Sequence, residues 1–324
     1  MGRQAQRPPR LILVDGFTGS GKSTTAQRLC LDLQAAGFQA RWYHEHEASH
    51  PIFQYSEVLN LLEWTPDTLE AQLVDGWSRL VRSLAPDATL IVEGAFLQIP
   101  VGVMLALGAS PARIRQVLTR LATILTPHAP ALVHLDHPDA SAALADTAAV
   151  RGARWLADMV EAVGASPYGH THPVRSAAGL ARFYARQRRL ITAALRRLDL
   201  ACLTIDISRH RRAADTARMR RWLHIPVPSA PPLSTRALLR HAGTYRASGQ
   251  LAPARITTDG LSLFLELPAT PTQPLIATGG GAFALQSLPI DVRFRYATGG
   301  AVRSFRYATR MLNERGQDRT WTKA

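Results

Sequence analysis

Apolar residues in the first 225 positions follow two alternating rhythms. Short runs with strand character lie at 11–15, 40–44, 89–93, 131–136 and 201–207. Between them, at 23–36, 68–84, 114–125, 140–163 and 177–198, apolar positions recur at helical spacing. Such alternation predicts an α/β unit: a five-stranded parallel sheet covered by helices on both faces, with right-handed crossovers. After residue 225 the rhythm changes. Four prolines fall within 225–232 and read as a stiff linker. Seven short alternating runs follow, at 243–246, 254–258, 262–267, 275–278, 282–286, 291–296 and 304–308. Turn signals such as Asp259-Gly260 and Gly279-Gly280-Gly281 separate them, which predicts a small antiparallel β-barrel or sandwich. The residues after 308 are polar and are expected to end loosely. The expected organisation is 1–225, a linker at 226–232, and an all-β domain of unassigned role at 233–324.

The first apolar run leads directly into Gly16-Phe17-Thr18-Gly19-Ser20-Gly21-Lys22-Ser23-Thr24, which matches G-x-x-x-x-G-K-[ST], a phosphate-binding loop. The strand before it and the helical pattern after it supply the context the motif requires. The glycines let successive N–H groups turn into one concavity, and the helix that starts near Gly21 adds its positive dipole end there. Gly16, Thr18, Gly19, Ser20, Gly21, Lys22, Ser23 and Thr24 are thus the expected nucleotide-binding set. Lys22 reaches the terminal phosphates, and the Ser23 hydroxyl is a ligand for Mg²⁺.

Composition sharpens this reading. The chain of 324 residues has 38 basic residues, of which only Lys22 and Lys323 are lysine. A lysine kept inside the loop of so arginine-rich a chain points to a role for a slim point charge, which a planar guanidinium fills poorly. The formal net charge of +14 suits phosphate-rich ligands and keeps nucleic acid open as a partner. Arginines are nevertheless spread along most of the chain, and few aromatics interleave with them. No apolar run is long enough for a membrane span. The N-terminus lacks the apolar stretch of a secretory signal. Cys30 and Cys202 read as small buried apolar residues, not a disulfide pair. A cytoplasmic setting is expected, and a homodimer is left open.

Four segments resemble the thymidylate kinase-like branch of P-loop small-molecule kinases. They are the P-loop, the acidic stretch Tyr43-His44-Glu45-His46-Glu47 after strand two, the acidic end of strand three in Leu90-Ile91-Val92-Glu93-Gly94, and Val133-His134-Leu135-Asp136-His137-Pro138-Asp139 followed by a helix and Arg151-Gly152-Ala153-Arg154. Within that branch the chain is similar to a bacterial P-loop group that pairs Tyr-x-Glu-(x)4-His-Pro with Phe-Leu-Gln, as Tyr43 to Pro51 and Phe96-Leu97-Gln98 do here. The Asp-Arg-Tyr and Glu-Pro-Gly signatures of thymidylate kinases are missing, so a thymidylate acceptor is not implied. The tail resembles small β-barrel modules appended to serine hydrolases, through Ala242-Gly243-Thr244-Tyr245-Arg246.

The resemblance implies a P-loop kinase-type three-layer fold and transfer of the γ-phosphate of ATP, with Mg²⁺, to a small-molecule or nucleoside/nucleotide acceptor. Glu45, expected just after strand two and next to the P-loop strand, is a candidate to orient the acceptor hydroxyl and take its proton, with Glu47 as its competitor. Glu93 is expected to anchor Mg²⁺ through water beside Ser23. His50 and Gln98 are candidate acceptor contacts. Arg151 and Arg154, three apart on one expected helix, form a candidate phosphate clamp. The segment 168–173 reads as a lid loop with a glycine hinge. Two other functions compete with this one: a nucleotide-hydrolysing switch whose C-terminal module binds a partner, and a nucleic-acid-associated kinase.

Overall fold

The computed structural model describes residues 7–53, 64–227, 233–249, 252–268, 270–311 and 318–324. Most of the expected linker, 228–232, lies outside the described residues. The chain divides into two compact units. One comprises 1–45 and 50–227, the other 46–49 and 228–324.

The first unit is built on five parallel strands: β1 Leu11–Gly16, β2 Gln39–Tyr43, β3 Ala88–Glu93, β4 Ala131–Asp136 and β5 Ala201–Asp206. Their order across the sheet is β2-β3-β1-β4-β5. β1 is therefore central, with Leu13 opposite Val92 on one side and Leu132 on the other. β2 is an edge strand beside β3. The expectation that it neighbours the P-loop strand is corrected here.

Alternation along β1 divides the core into two layers. Ile12 and Val14 pack with Leu29 and Leu33 of α1 (Lys22–Ala35) and with Met219 of α9 (Arg212–Trp222). Leu11 and Leu13 face the opposite layer, built from α2 (Pro66–Arg82), α3 (Gln98–Ala106), α4 (Pro111–Leu125) and α8 (Ala177–Leu195). Helices on both faces of a central parallel sheet, with the phosphate-binding loop after the middle strand, define a three-layer P-loop kinase-type fold.

Three sequence expectations change in this unit. The single helix expected over 140–163 is two helices, α5 Ala140–Arg151 and α6 Ala153–Gly164, broken at Gly152 with φ 90°. Gly169 is no hinge. It is buried in the short helix α7 (Pro167–Thr171), where a Cβ would overlap the carbonyls of Val163 and Gly164. Cys202 is exposed rather than buried.

The second unit is a closed antiparallel barrel of eight strands, β6 to β13, each paired with its sequence neighbours and β13 closing onto β6. Seven of these strands correspond to the seven alternating runs. The eighth, β13 Arg319–Lys323, lies in the tail expected to end loosely. It pairs with β12 (Val302–Thr309) and β6 (Gly243–Arg246), so no edge is left open. Aromatic side chains fill the interior. Phe305 lies 4.9 Å from Tyr245 and 6.1 Å from Trp321, ring centre to ring centre. Small barrels filled in this way are packed cores rather than channels. No helix among the described residues is long and apolar enough to cross a membrane.

Candidate active site

The loop between β1 and α1 has the backbone its sequence calls for. Gly19 and Gly21 sit at φ 80° and 85°, in the left-handed region that glycine adopts without strain. A Cβ on Gly19 would overlap the Thr147 hydroxyl, so the loop passes against α5 at closest approach. Thr147 Oγ1 donates to the Thr18 carbonyl at 3.1 Å and to the Ala143 carbonyl at 2.7 Å. No side chain caps the N-terminus of α1, and its first turn carries no acidic residue. The Ser20 hydroxyl is buried with no hydrogen-bond partner among the described residues. Such a cradle of N–H groups and a hydroxyl fits a polyphosphate. Lys22 is buried and its Nζ donates to the Phe17 carbonyl at 3.2 Å.

Ser23 and Glu93 meet directly. Ser23 Oγ donates to Glu93 Oε1 at 2.8 Å, Trp42 Nε1 donates to Oε2 at 3.1 Å, and the Glu45 main-chain N–H reaches Oε1 at 3.4 Å. His44 Nε2 lies 3.6 Å from the same oxygen. Glu93 is fully buried, and burial, reinforced by the Glu45 carboxylate, pushes its pKa up to about 8. Lys22 and the Ser23 hydrogen bond act the other way. Oxygen donors from a hydroxyl and a carboxylate, beside a polyphosphate cradle, fit Mg²⁺, which keeps most of its waters.

Gly94 follows at φ 66°, and a Cβ there would come within 3.1 Å of Glu45 Oε2 and 3.5 Å of Lys22 Cε. Glycine thus allows the Glu45 carboxylate and the lysine stem to close in from two sides. His50 is buried, its ring between Tyr43 and stacked Phe53 at 6.1 and 4.7 Å. Its Nδ1 accepts the main-chain N–H of Ile52 at 3.3 Å and of Phe53 at 3.4 Å. Burial lowers its pKa to about 4, against the pull of Glu45. Gln98 Nε2 donates to Thr18 Oγ1 at 3.2 Å, and its Oε1 is buried without a partner among the described residues.

Other candidates lie elsewhere. Glu47 belongs to the second unit, where it forms a β-bridge with Met311 and an ion pair with Arg310, whose Nε lies 3.2 Å from its carboxylate. Arg151 ends α5 with its guanidinium 5.3 Å from the Trp155 ring, while Arg154 lies on α6 beyond the Gly152 break. The two do not share a helix face, which corrects the geometry expected for the clamp.

The structure also brings in residues that periodicity did not single out. Asp15, at the end of β1, accepts the main-chain N–H groups of Gly16, Phe96, Leu97 and Gln98 at 2.8 to 3.2 Å. Burial nevertheless raises its pKa. Tyr184 of α8 packs edge-on to Phe17 at 4.8 Å and hydrogen-bonds with Thr18. Burial pushes its pKa up to about 12, and both Arg151 and Glu45 act on it. An aspartate ending an apolar run just before the glycines was the available signal for Asp15. None existed for Tyr184.

No family model matches the chain, and no curated protein matches it. Similar solved structures include thymidylate kinase from Candida albicans, at 12% identity over 67% of this chain and 94% of that one, with a TM-score of 0.36. The YorR protein of Bacillus subtilis, solved in complex with phosphorylated GDP, is similar at 12% identity over 66% of this chain and 97% of that one, with a TM-score of 0.35. At that identity and score neither carries an argument about activity. The kinase-type fold rests on this chain's own strand order and loop.

Proposed function

We propose that the first unit is an ATP-dependent phosphotransferase that moves the γ-phosphate to a small hydroxyl-bearing acceptor. The observation that carries this reading is the 2.8 Å bond from Ser23 to the buried carboxylate of Glu93, formed beside Lys22 at the mouth of the glycine loop. Phosphoryl transfer asks a protein mainly for positioning and charge neutralisation. The loop amides and Lys22 hold the terminal phosphates of ATP. Ser23, with Glu93 behind it, holds Mg²⁺, which when bound neutralises charge on the phosphate oxygens. Glu45 accepts the hydrogen bond of the acceptor hydroxyl and takes its proton late in transfer. Arg151 and Arg154, on consecutive helices, are the candidates to neutralise phosphate charge.

The test is acceptor-dependent ADP release from the full chain with MgATP, using Lys22→Ala as the control. Acceptor-stimulated release that Lys22→Ala abolishes supports transfer. Release at one rate whatever is added favours a nucleotide-hydrolysing switch.

A further inference from the structure

Residues 233–324 carry 12 basic and 5 acidic side chains, so little more than a quarter of the chain holds half of its +14 charge. Most of the acids have partners of their own. Asp291 pairs with Arg310, which also holds Glu47, and Asp318 pairs with Arg306. Asp259 accepts the main-chain N–H groups of Leu261 and Ser262 in the turn between β7 (Ala254–Thr258) and β8 (Leu263–Glu266). Glu266 lies opposite Arg255. Glu314 is followed directly by Arg315, both outside the described residues. Arg246, Arg293, Arg295 and Arg303 are all exposed, and none forms an ion pair among the described residues.

Strand register gathers these arginines on one face. Along β11 (Ile290–Tyr296), Val292 and Phe294 point into the barrel, so Arg293 and Arg295 point outward. Arg295 lies opposite Ser304 of β12, Ser304 opposite Thr322 of β13, and Thr322 opposite Arg246 of β6. Residues paired in this way share a side of the sheet, so the row runs over the outer surface across three strand steps, about 14 Å. In the next row Arg293 lies directly opposite Arg306, which lies opposite Thr320. A register shift beside Arg295 leaves Arg303 as an extra exposed residue between Val302 and Ser304. Like charges placed directly across a strand pair oppose the pairing, and Asp318 offsets only Arg306. The cationic face ends at β10 (Ala282–Leu285), where Ala282 lies opposite Arg293, and at β7, where Arg255 meets Glu266.

Between the arginines the outward side chains of these rows are Ser304, Thr320 and Thr322. Arginine forks and short hydroxyls are the groups that contact phosphate oxygens. The rows hold no outward aromatic ring on which single-stranded bases stack. They also hold no apolar side chain to enter a bilayer or to form the core of a protein interface. We propose that the outer face of β6 and β11 to β13 binds the phosphate backbone of duplex nucleic acid, without reading its sequence. The inference is independent of the phosphotransferase reading of the first unit.

The test titrates the full chain, without nucleotide, into a fluorescein-labelled DNA duplex of mixed sequence, roughly 30 base pairs long, between about 50 and 200 mM KCl. Binding is expected, with log Kd rising against log salt at a slope of about 4, the value for about four to five neutralised phosphates. The combined variant Arg246→Gln, Arg293→Gln, Arg295→Gln and Arg303→Gln is expected to bind on the order of 100-fold more weakly, with a slope of about 1. Its melting temperature is expected at or above that of wild type, because Arg293 no longer opposes Arg306. A control variant, Arg28→Gln, Arg115→Gln, Arg196→Gln and Arg197→Gln, removes the same charge from exposed positions of the first unit. It is expected to bind duplex within about threefold of wild type. Absence of binding at the lowest salt, or equal losses in the two variants, overturns the inference. Tighter binding to phosphatidylserine vesicles, or to a single strand of the same length, than to the duplex also overturns it.

Discussion

Asp15 accepts the main-chain N–H of Leu97 at 2.8 Å, across 82 positions of sequence. Together with its bonds from Phe96 and Gln98, this contact fastens the start of α3 to the end of the P-loop strand. Asp15→Asn replaces one carboxylate oxygen by an amide donor facing N–H groups. A loss of about 3 kcal/mol in stability is expected from the unpaired donors. Chemical denaturation measures it, and a variant as stable as wild type removes Asp15 from this role.

Lys22→Ala leaves the packing of β1 and α1 in place and removes the positive charge that faces the P-loop. Transfer is expected to fall on the order of 10³-fold with an unaltered far-UV spectrum and a cooperative melt. Turnover at the wild-type rate in the folded variant rejects the assignment of the nucleotide site.

Glu93 and Glu45 are both buried at the mouth of the loop but differ in partners. Glu93 holds Ser23, whereas the Glu45 side chain lies against Gly94. Glu93→Gln is therefore expected to raise the Mg²⁺ concentration needed for half-maximal turnover. Glu45→Gln lowers kcat with little change in Mg²⁺ requirement. Superimposable Mg²⁺ titrations for the two variants contradict this division of labour.

His50 makes stability depend on pH. Its pKa falls from an ordinary 6.5 to about 4 because burial disfavours the charged ring. The unfolded chain binds the proton first, so the contribution is complete above pH 6.5 and is lost as pH falls toward about 4. Its full size is on the order of 3 kcal/mol. Glu93 runs the other way, its contribution fading as pH rises from 4.5 toward about 8. The difference between wild type and His50→Leu isolates the histidine. Melting temperatures at pH 7 and pH 4.5 are expected to differ more for wild type than for the variant, and equal pH dependence refutes the assignment.

Trp321 closes the barrel. It is 3% exposed, stacks near Phe305, and sits on the strand that joins β12 to β6. Trp321→Ala leaves a large cavity and is expected to cost about 3 to 5 kcal/mol in the stability of the barrel. Differential scanning calorimetry of the full chain reads this as a lowered transition for the barrel.

Local chemistry already determined much of the first unit. The inner strands β1, β3 and β4 were legible because a strand covered on both faces is a short continuous apolar run, while the edge strands β2 and β5 showed only in their shorter apolar stretches. The P-loop was legible because its glycines, lysine and hydroxyls lie within nine consecutive residues. α3 left no signal: Gln98–Ala106 is apolar on nearly every side, and a helix buried all round has no amphipathic period. α9 failed for the opposite reason, with Met219 as its only buried residue. β13 is five residues with one buried side chain, and pairing to two distant strands makes it a strand.

The sequence by itself also placed the candidate carboxylates at the ends of strands two and three, because an acidic residue that stops an apolar run marks a strand's carboxyl end. Only the tertiary structure decided what they touch. It put β3 rather than β2 beside the P-loop strand, and so brought Glu93 to Ser23 and left Glu45 at Gly94. The left-handed backbone at Gly152 separated Arg151 from Arg154, which a continuous helix would have kept on one face. Thr147 and Tyr184 reach the P-loop from two helices far along the chain, and Asp15 ties the start of α3 to the strand that leads into the loop. Spacing along a sequence reports which side of one element a residue occupies. It carries no information about which other element that side meets, because burial of apolar surface and satisfaction of hydrogen bonds are settled by the whole fold at once.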